Sequence, residues 1–321
     1  MPVESPLVAL PVKLNMCLAV VAIHALPDWP LIIAANRDEF HVRPASVSQP
    51  WQDAPEILAG RDLKAGGTWL GVSRQGRIAL LTNYREPGRN DPDAPSRGRL
   101  VEDYLRGPLS ASHYASSLQA SGQTYNGFNL LLADEDGMWY WSNRAPATRL
   151  TAGVVGLSNA TLGTPWPKLT RTSRAVSRHL EAIQGSGKTS ARGAPDTETL
   201  FNIFRDPVAP ADHELPDTGV GLERERMLAS PFIISESYGT RCTTLVLKRA
   251  DGQIFFHERR YDPSGQASGQ SDWLVDTRQT ANAAISAISA ISANSANSAH
   301  FVNSAHSANS ANSANSANSV S

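Results

Sequence analysis

Cysteine is scarce in this 321-residue sequence: there are two, Cys17 and Cys242, far apart. Two cysteines make neither a disulfide framework nor a zinc site on their own, and nothing else indicates an oxidising compartment. A charge excess of either sign is also missing. Lys plus Arg is 29 against 30 for Asp plus Glu, a formal net charge of −1. That excludes the broad basic surface needed for unspecific binding to nucleic acid or to an anionic membrane. No apolar run approaches the roughly 18 residues of a spanning helix, so no integral membrane segment is expected. The eight histidines are scattered, without His-Glu-x-x-His or any pair at metal-ligand spacing. No Gly-x-Ser-x-Gly elbow occurs. Gly185-Ser-Gly-Lys-Thr189 follows a helical pattern rather than a strand and has Ala182 where a phosphate loop needs its first glycine.

The two ends are poor in fold-forming sequence. Residues 281–321 hold 13 Ala, 12 Ser and 8 Asn and no charged residue, repeating Ala-Asn-Ser or Ala-Ile-Ser every three positions. Such a stretch buries too little to offset the entropy of ordering its backbone, and its period is far below that of any solenoid unit. It reads as a disordered tail, joined by a linker over 263–280. Residues 1–16 carry Pro2, Pro6 and Pro11, with the only basic residue, Lys13, placed late. That is not a secretory signal. Either Met16 is the true start or the extension is a leader, and the expected setting is the cytoplasm.

Between them, residues 17–262 read as one α+β domain. Short apolar runs bounded by turn residues predict strands over 18–23, 31–35, 68–73, 78–82, 128–133, 138–142, 153–157, 241–248 and 253–260. Gln75-Gly76, Glu135-Asp136-Gly137 and Ala250-Asp251-Gly252 predict hairpins. Helices are expected over 99–106, 110–119, 166–183 and 197–204, the last capped by Asp196. Hairpins early and late with helices between them predict two antiparallel sheets covered by helices.

Position makes Cys17 the candidate for chemistry. If it becomes the first residue, its α-amine, with an ordinary pKa of roughly 7.7–8.0, lies beside its own thiol. Nucleophile and general base then share one residue. Polar residues cluster where other apolar strands end: Asn36, Arg37, Asp38 and Glu39 after 31–35, Asn83 after 78–82, Asn159 after 153–157, and Arg241 at the start of the late hairpin. Burying Arg37 or Asp38 alone is expensive, which favours pairing or a wet site. Strand-end amides and arginines also close turns, so both readings stay open on spacing alone. Cys242 reads as a buried small hydrophobe, on the face opposite Arg241 by the period of two.

Met16-Cys17, Ala35-Asn-Arg-Asp-Glu-Phe40, Gly66-Gly-Thr-Trp-Leu-Gly71, Leu81-Thr-Asn-Tyr84, Tyr125-Asn-Gly-Phe-Asn-Leu130, Gly156-Leu-Ser-Asn-Ala160 with Thr164-Pro-Trp166, and Tyr238-Gly-Thr-Arg241 occur in that order. Together they resemble the NRDE family, the transport and Golgi organization protein 2 family, from Met16 to about Arg260. The resemblance implies the N-terminal nucleophile hydrolase fold, a four-layer αββα sandwich. It implies Cys17 as nucleophile with Arg37 and Asp38 as neighbours, Asn83 and Asn159 as oxyanion or substrate amides, and Arg241 as a charge-stabilising residue. The related hydrolases place arginine and aspartate as Arg-Asn-x-Asp, whereas here they are adjacent. On a strand, adjacent residues point to opposite faces, so Arg37 and Asp38 share a site only where the strand has ended. The activity implied is hydrolysis or acyl transfer on an amide or thioester of a small hydrophobic metabolite, with no cofactor required. The alternative is a carrier for haem or acyl-CoA-type lipids, with Cys17 or a histidine such as His41 as a haem ligand.

Overall fold

A computed structural model describes residues 16–186, 195–278 and 284–287. Both the proposed leader, apart from Met16, and most of the repeat tail lie outside these residues. The strands are β1 (Met16–Leu26), β2 (Trp29–Phe40), β3 (Ala45–Pro50), β4 (Ile57–Asp62), β5 (Leu70–Ser73), β6 (Ile78–Asn83), β7 (Phe128–Asp134), β8 (Gly137–Ser142), β9 (Ala145–Leu150), β10 (Gly153–Leu157), β11 (Tyr238–Lys248), β12 (Gln253–Tyr261), β13 (Ala267–Asp276) and β14 (Ala284–Ala287). The helices are α1 (Gly98–Arg106), α2 (Ala111–Ser121), α3 (Pro167–Ser186), α4 (Thr197–Phe204) and α5 (Leu222–Met227).

Among the described residues the strands form two antiparallel sheets of seven. One runs β10-β1-β2-β11-β12-β13-β14 and the other β3 to β9 in chain order. Each apolar strand is buried on both faces, so side chains alternate between two cores. Ala19, Val21, Ile33 and Val246 of the first sheet meet Leu58, Leu70, Leu80 and Leu131 of the second. On the outer face of the first sheet, Leu18, Val20, Ile32 and Leu245 pack against α3 and α4 through Leu169, Val176, Leu180, Phe201 and Phe204. The outer face of the second sheet packs on α1 and α2 through Leu100, Tyr104, Tyr114 and Leu118. The architecture is the four-layer αββα sandwich expected. The three predicted hairpins are present, and Asp196 caps α4 by accepting from Glu198 N–H at 3.1 Å.

Two expectations need correction at the C-terminal side. Residues 263–280, expected as a linker, contain β13, which pairs with β12 along its length. The polar Ser-Gly-Gln composition hides this strand because only Val275 is fully buried; ladder hydrogen bonds and the Trp273 indole, which donates to the Ser48 carbonyl at 3.0 Å, hold it. Four residues of the repeat, Ala284–Ala287, add β14 to the edge of β13. There the backbone supplies pairing that the side chains do not advertise.

Candidate functional site

A cavity of about 200 Å³ lies at one end of the space between the sheets. Its wall is built from Cys17 on β1, Arg37, Glu39 and the main chain of Asp38 on β2, Asp62 at the end of β4, Trp69, and Leu81 and Asn83 on β6. Residues 94–98, leading into α1, close another side together with Gly67. That closure depends on glycine. A Cβ on Gly67 would sit 2.4 Å from the Gly98 carbonyl carbon, a distance no real side chain tolerates.

Register decides which side chains meet. Cys17 pairs directly with Arg37, and Arg37 in turn with Cys242. Directly paired residues share a face, so all three point between the sheets. Asp38 pairs with Thr240 and faces the opposite way, toward the helical layer. β2 does not end before Asp38, and the alternation holds through Asn36, Arg37, Asp38 and Glu39. Arg37 therefore enters the cavity over the Trp69 ring, 4.3 Å from its centroid. The Asp38 carboxylate accepts from Thr240 Oγ1 at 2.6 Å on the far side. Asn36 is a clamp: its Nδ2 donates to the Phe204 and Pro231 carbonyls at 2.9 and 2.8 Å, and its Oδ1 accepts from Thr243 Oγ1 at 2.6 Å.

The late hairpin differs from a simple period of two. A bulge between Thr240 and Cys242 makes Arg241 the extra residue. Arg241 donates to the Phe40 and Arg43 carbonyls at 2.8 and 3.2 Å and does not line the cavity. Cys242, expected to face away from Cys17 and Arg37, lies on their face because of the bulge, and is buried in the core. Cys17 and Cys242 are separated by β2, about 10 Å at the usual strand spacing, beyond the reach of a disulfide. Both are free.

The two asparagines also divide. Asn83 lines the cavity. Asn159, behind Cys17, accepts from the Cys17 backbone N–H at 3.4 Å and donates to the Asn83 carbonyl at 2.9 Å. Ser158 Oγ donates to the Cys17 carbonyl at 3.0 Å. Asn159 thus holds the main chain at Cys17 and is not part of the cavity wall. His41 lies outside the cavity wall and its Nε2 is 3.0 Å from the Ser235 carbonyl.

Charge around Cys17 is dense. Arg37 lies 3.5 Å from Asp62 and 3.8 Å from Glu39, and Arg43 is 2.6 Å from Asp62 and 3.6 Å from Glu39. Burial pushes the Cys17 thiol up to about 12; Asp38 adds to the rise while Arg37 opposes it. Burial likewise raises the Asp38 carboxyl and lowers the Lys168 amine, and each charge partly rescues the other. Lys168 on α3 is 2% exposed and donates to the Leu228 carbonyl at 2.9 Å. Motif and spacing single out neither Lys168 nor Arg97. Lys168 carries one signal, since a lysine in the first turn of a helix opposes the helix dipole. Arg97 carries none.

The family described as Transport and Golgi organisation 2 matches residues 16–263. The chain belongs to that family. The Transport and Golgi organization 2 homolog of Mus musculus is 37% identical over 246 residues, covering 71% of this chain and 86% of the mouse protein. The Bos taurus homolog is 38% identical over 266 residues, covering 78% and 91%. The solved structure of a mutant conjugated bile acid hydrolase from Clostridium perfringens aligns at 11% identity and a TM-score of 0.42, over 85% of this chain and 96% of that one. The family match ends at residue 263, so β13 and β14 lie beyond it.

Proposed function

We propose that this member of the Transport and Golgi organisation 2 family is a cysteine-dependent acyl hydrolase or acyltransferase in the form whose first residue is Cys17. The observation that carries this is the double hold on Cys17: its backbone nitrogen is tied to Asn159 while its side chain borders a charged cavity opposite Arg37. In the extended chain that nitrogen is an amide and cannot act as a base, and the thiol, at about 12, stays protonated at neutral pH. Exposure of Cys17 converts the same nitrogen into an amine that can take the thiol proton.

The thiolate then attacks an amide or thioester carbonyl, forming the C–S bond. Of the two side-chain amides in the cavity wall, Asn126 is bonded to Asp91, and Asn83 would donate to the oxyanion. The protonated amine returns its proton to the departing amine or thiol as the scissile bond breaks. Water, or another acceptor, attacks the thioester, gives its proton to the amine and releases Cys17. The carrier reading draws no support from this cavity, whose wall includes six charged residues and lacks His41.

The test compares three proteins on a panel of small amides and thioesters: the form beginning at Cys17, the form retaining residue 16, and Cys17→Ala beginning at residue 17. Turnover is expected from the first alone, rising with pH through the range of the α-amine. Equal turnover by the Cys17→Ala protein would sink the proposal.

A further inference from the structure

The charges around the cavity do not balance. Arg37, Arg43 and Arg97 line it, and Lys168 faces Asp38 from behind. Against these four stand three carboxylates, Asp38, Glu39 and Asp62. Arg37 and Arg43 share Glu39 and Asp62, and Lys168 pairs electrostatically with Asp38. Among the described residues Arg97 has no salt bridge; its Nη1 donates to the Gly127 carbonyl at 2.8 Å. The nearby acid that could have served it, Glu86, is 2.8 Å from Arg144 Nε and accepts from the Gly127 N–H at 3.1 Å. Arg97 is half-buried, and desolvation pulls it down to about 10 while Cys17, Glu86 and Glu39 oppose the fall.

We infer that the cavity is built for a substrate carrying one carboxylate, held by Arg97, while its reacting carbonyl meets Cys17. The inference rests on the acyl-transfer reading above and names the substrate class for it. A monoanion matches the single unmatched charge. A dianion such as phosphate would leave a negative charge facing Glu39 and Asp62. Guanidinium to carboxylate is also the pairing with the best-matched planar geometry. The volume sets the scale: 200 Å³ is below the roughly 300–1,000 Å³ of sites for drug-sized ligands, so the enclosed part of the substrate is a short chain. The hydrophobic metabolite expected from the family resemblance is replaced by a small, singly charged acyl compound.

Binding separates this inference from turnover. Glutaramate, with one carboxylate and one amide carbonyl, and its neutral isostere glutaramide are titrated calorimetrically into the full chain, Cys17→Ala, Arg97→Gln and Arg97→Lys, each checked for folding by circular dichroism. The full chain and Cys17→Ala are expected to bind glutaramate alike. Glutaramide should bind about tenfold more weakly or worse, and Arg97→Gln should lose glutaramate by a similar factor. Arg97→Lys, which keeps the charge, should retain part of the affinity and serves if Arg97→Gln does not fold. No glutaramate binding, equal binding of glutaramide, or unaltered binding by Arg97→Gln overturns the inference. Arg97-dependent glutaramate binding without Cys17-dependent turnover of any glutaryl amide or thioester would instead remove the hydrolase reading and leave the anion site standing.

Discussion

Replacing Lys168 by Met removes the cation that faces Asp38 within the buried layer behind Cys17. Asp38 is already raised, so the folded protein holds a proton that the unfolded chain gives up; stability contributed here falls as pH rises above about 3.9, the unfolded value. Without Lys168 the carboxyl rises further, and that loss of stability extends to higher pH. Carbon-13 titration of Asp38 in both proteins checks the direction; an unmoved or lower midpoint in Lys168→Met would show that the two charges do not communicate. Asn36→Ala acts through hydrogen bonds. It strands the Phe204 and Pro231 carbonyls and the Thr243 hydroxyl, at a cost of about 1–3 kcal/mol for each group left unsatisfied, read as a lowered midpoint in urea. At this scale the sequence discloses the residues attached to motifs: Cys17, Arg37 and Asn83 all reach the cavity wall. It does not disclose Arg97 or Lys168. A cation becomes notable through enclosure, and enclosure is set by elements distant in the chain.

Elements carry the next set of consequences. The approach of residues 67 and 98 leaves no room for a side chain, so Gly67→Ala must push the start of α1 away from the cavity. Overpacking of this kind costs about 1–3 kcal/mol. A thermal melt of Gly67→Ala should show that loss, and an unchanged melting temperature would mean the crossing gives way easily. Apolar strands are readable because β1, β2, β6, β7 and β11 are dominated by residues that can go nowhere but inside. β3, β4 and β9 are not, since their alternation is broken by Pro, Gly and charged residues such as Arg61 and Asp62. The bulge at Arg241 defeats counting by two for a related reason: one inserted residue reverses every assignment on one side of it.

For the whole molecule, the boundary of the folded unit lies beyond the end of the family match. A chain ending at Asp262 loses β13, with the fully buried Val275 and the Trp273 bond between the two sheets. Val275 alone accounts for roughly 1.5–3 kcal/mol of burial, and its removal also bares the edge of β12 to other chains. Such a truncation should melt lower and aggregate, whereas one ending at Ala287 should behave like the full chain; matching melts and monodispersity for both would place the boundary at 262 after all. The layered architecture itself is legible, because two apolar faces per strand and helices between hairpins permit few other arrangements. Among the described residues no helix is long and apolar enough to cross a membrane.

The pairing of Met16 with Asp38 sets an order of events. A peptidase must draw its substrate strand into its own cleft, and a strand already zipped onto its neighbour is not available for that. On the chemistry proposed above, a peptidase that freed Cys17 would therefore have to act before β1 and β2 join. A molecule that folded with residue 16 in place would keep an amide where that chemistry needs an amine.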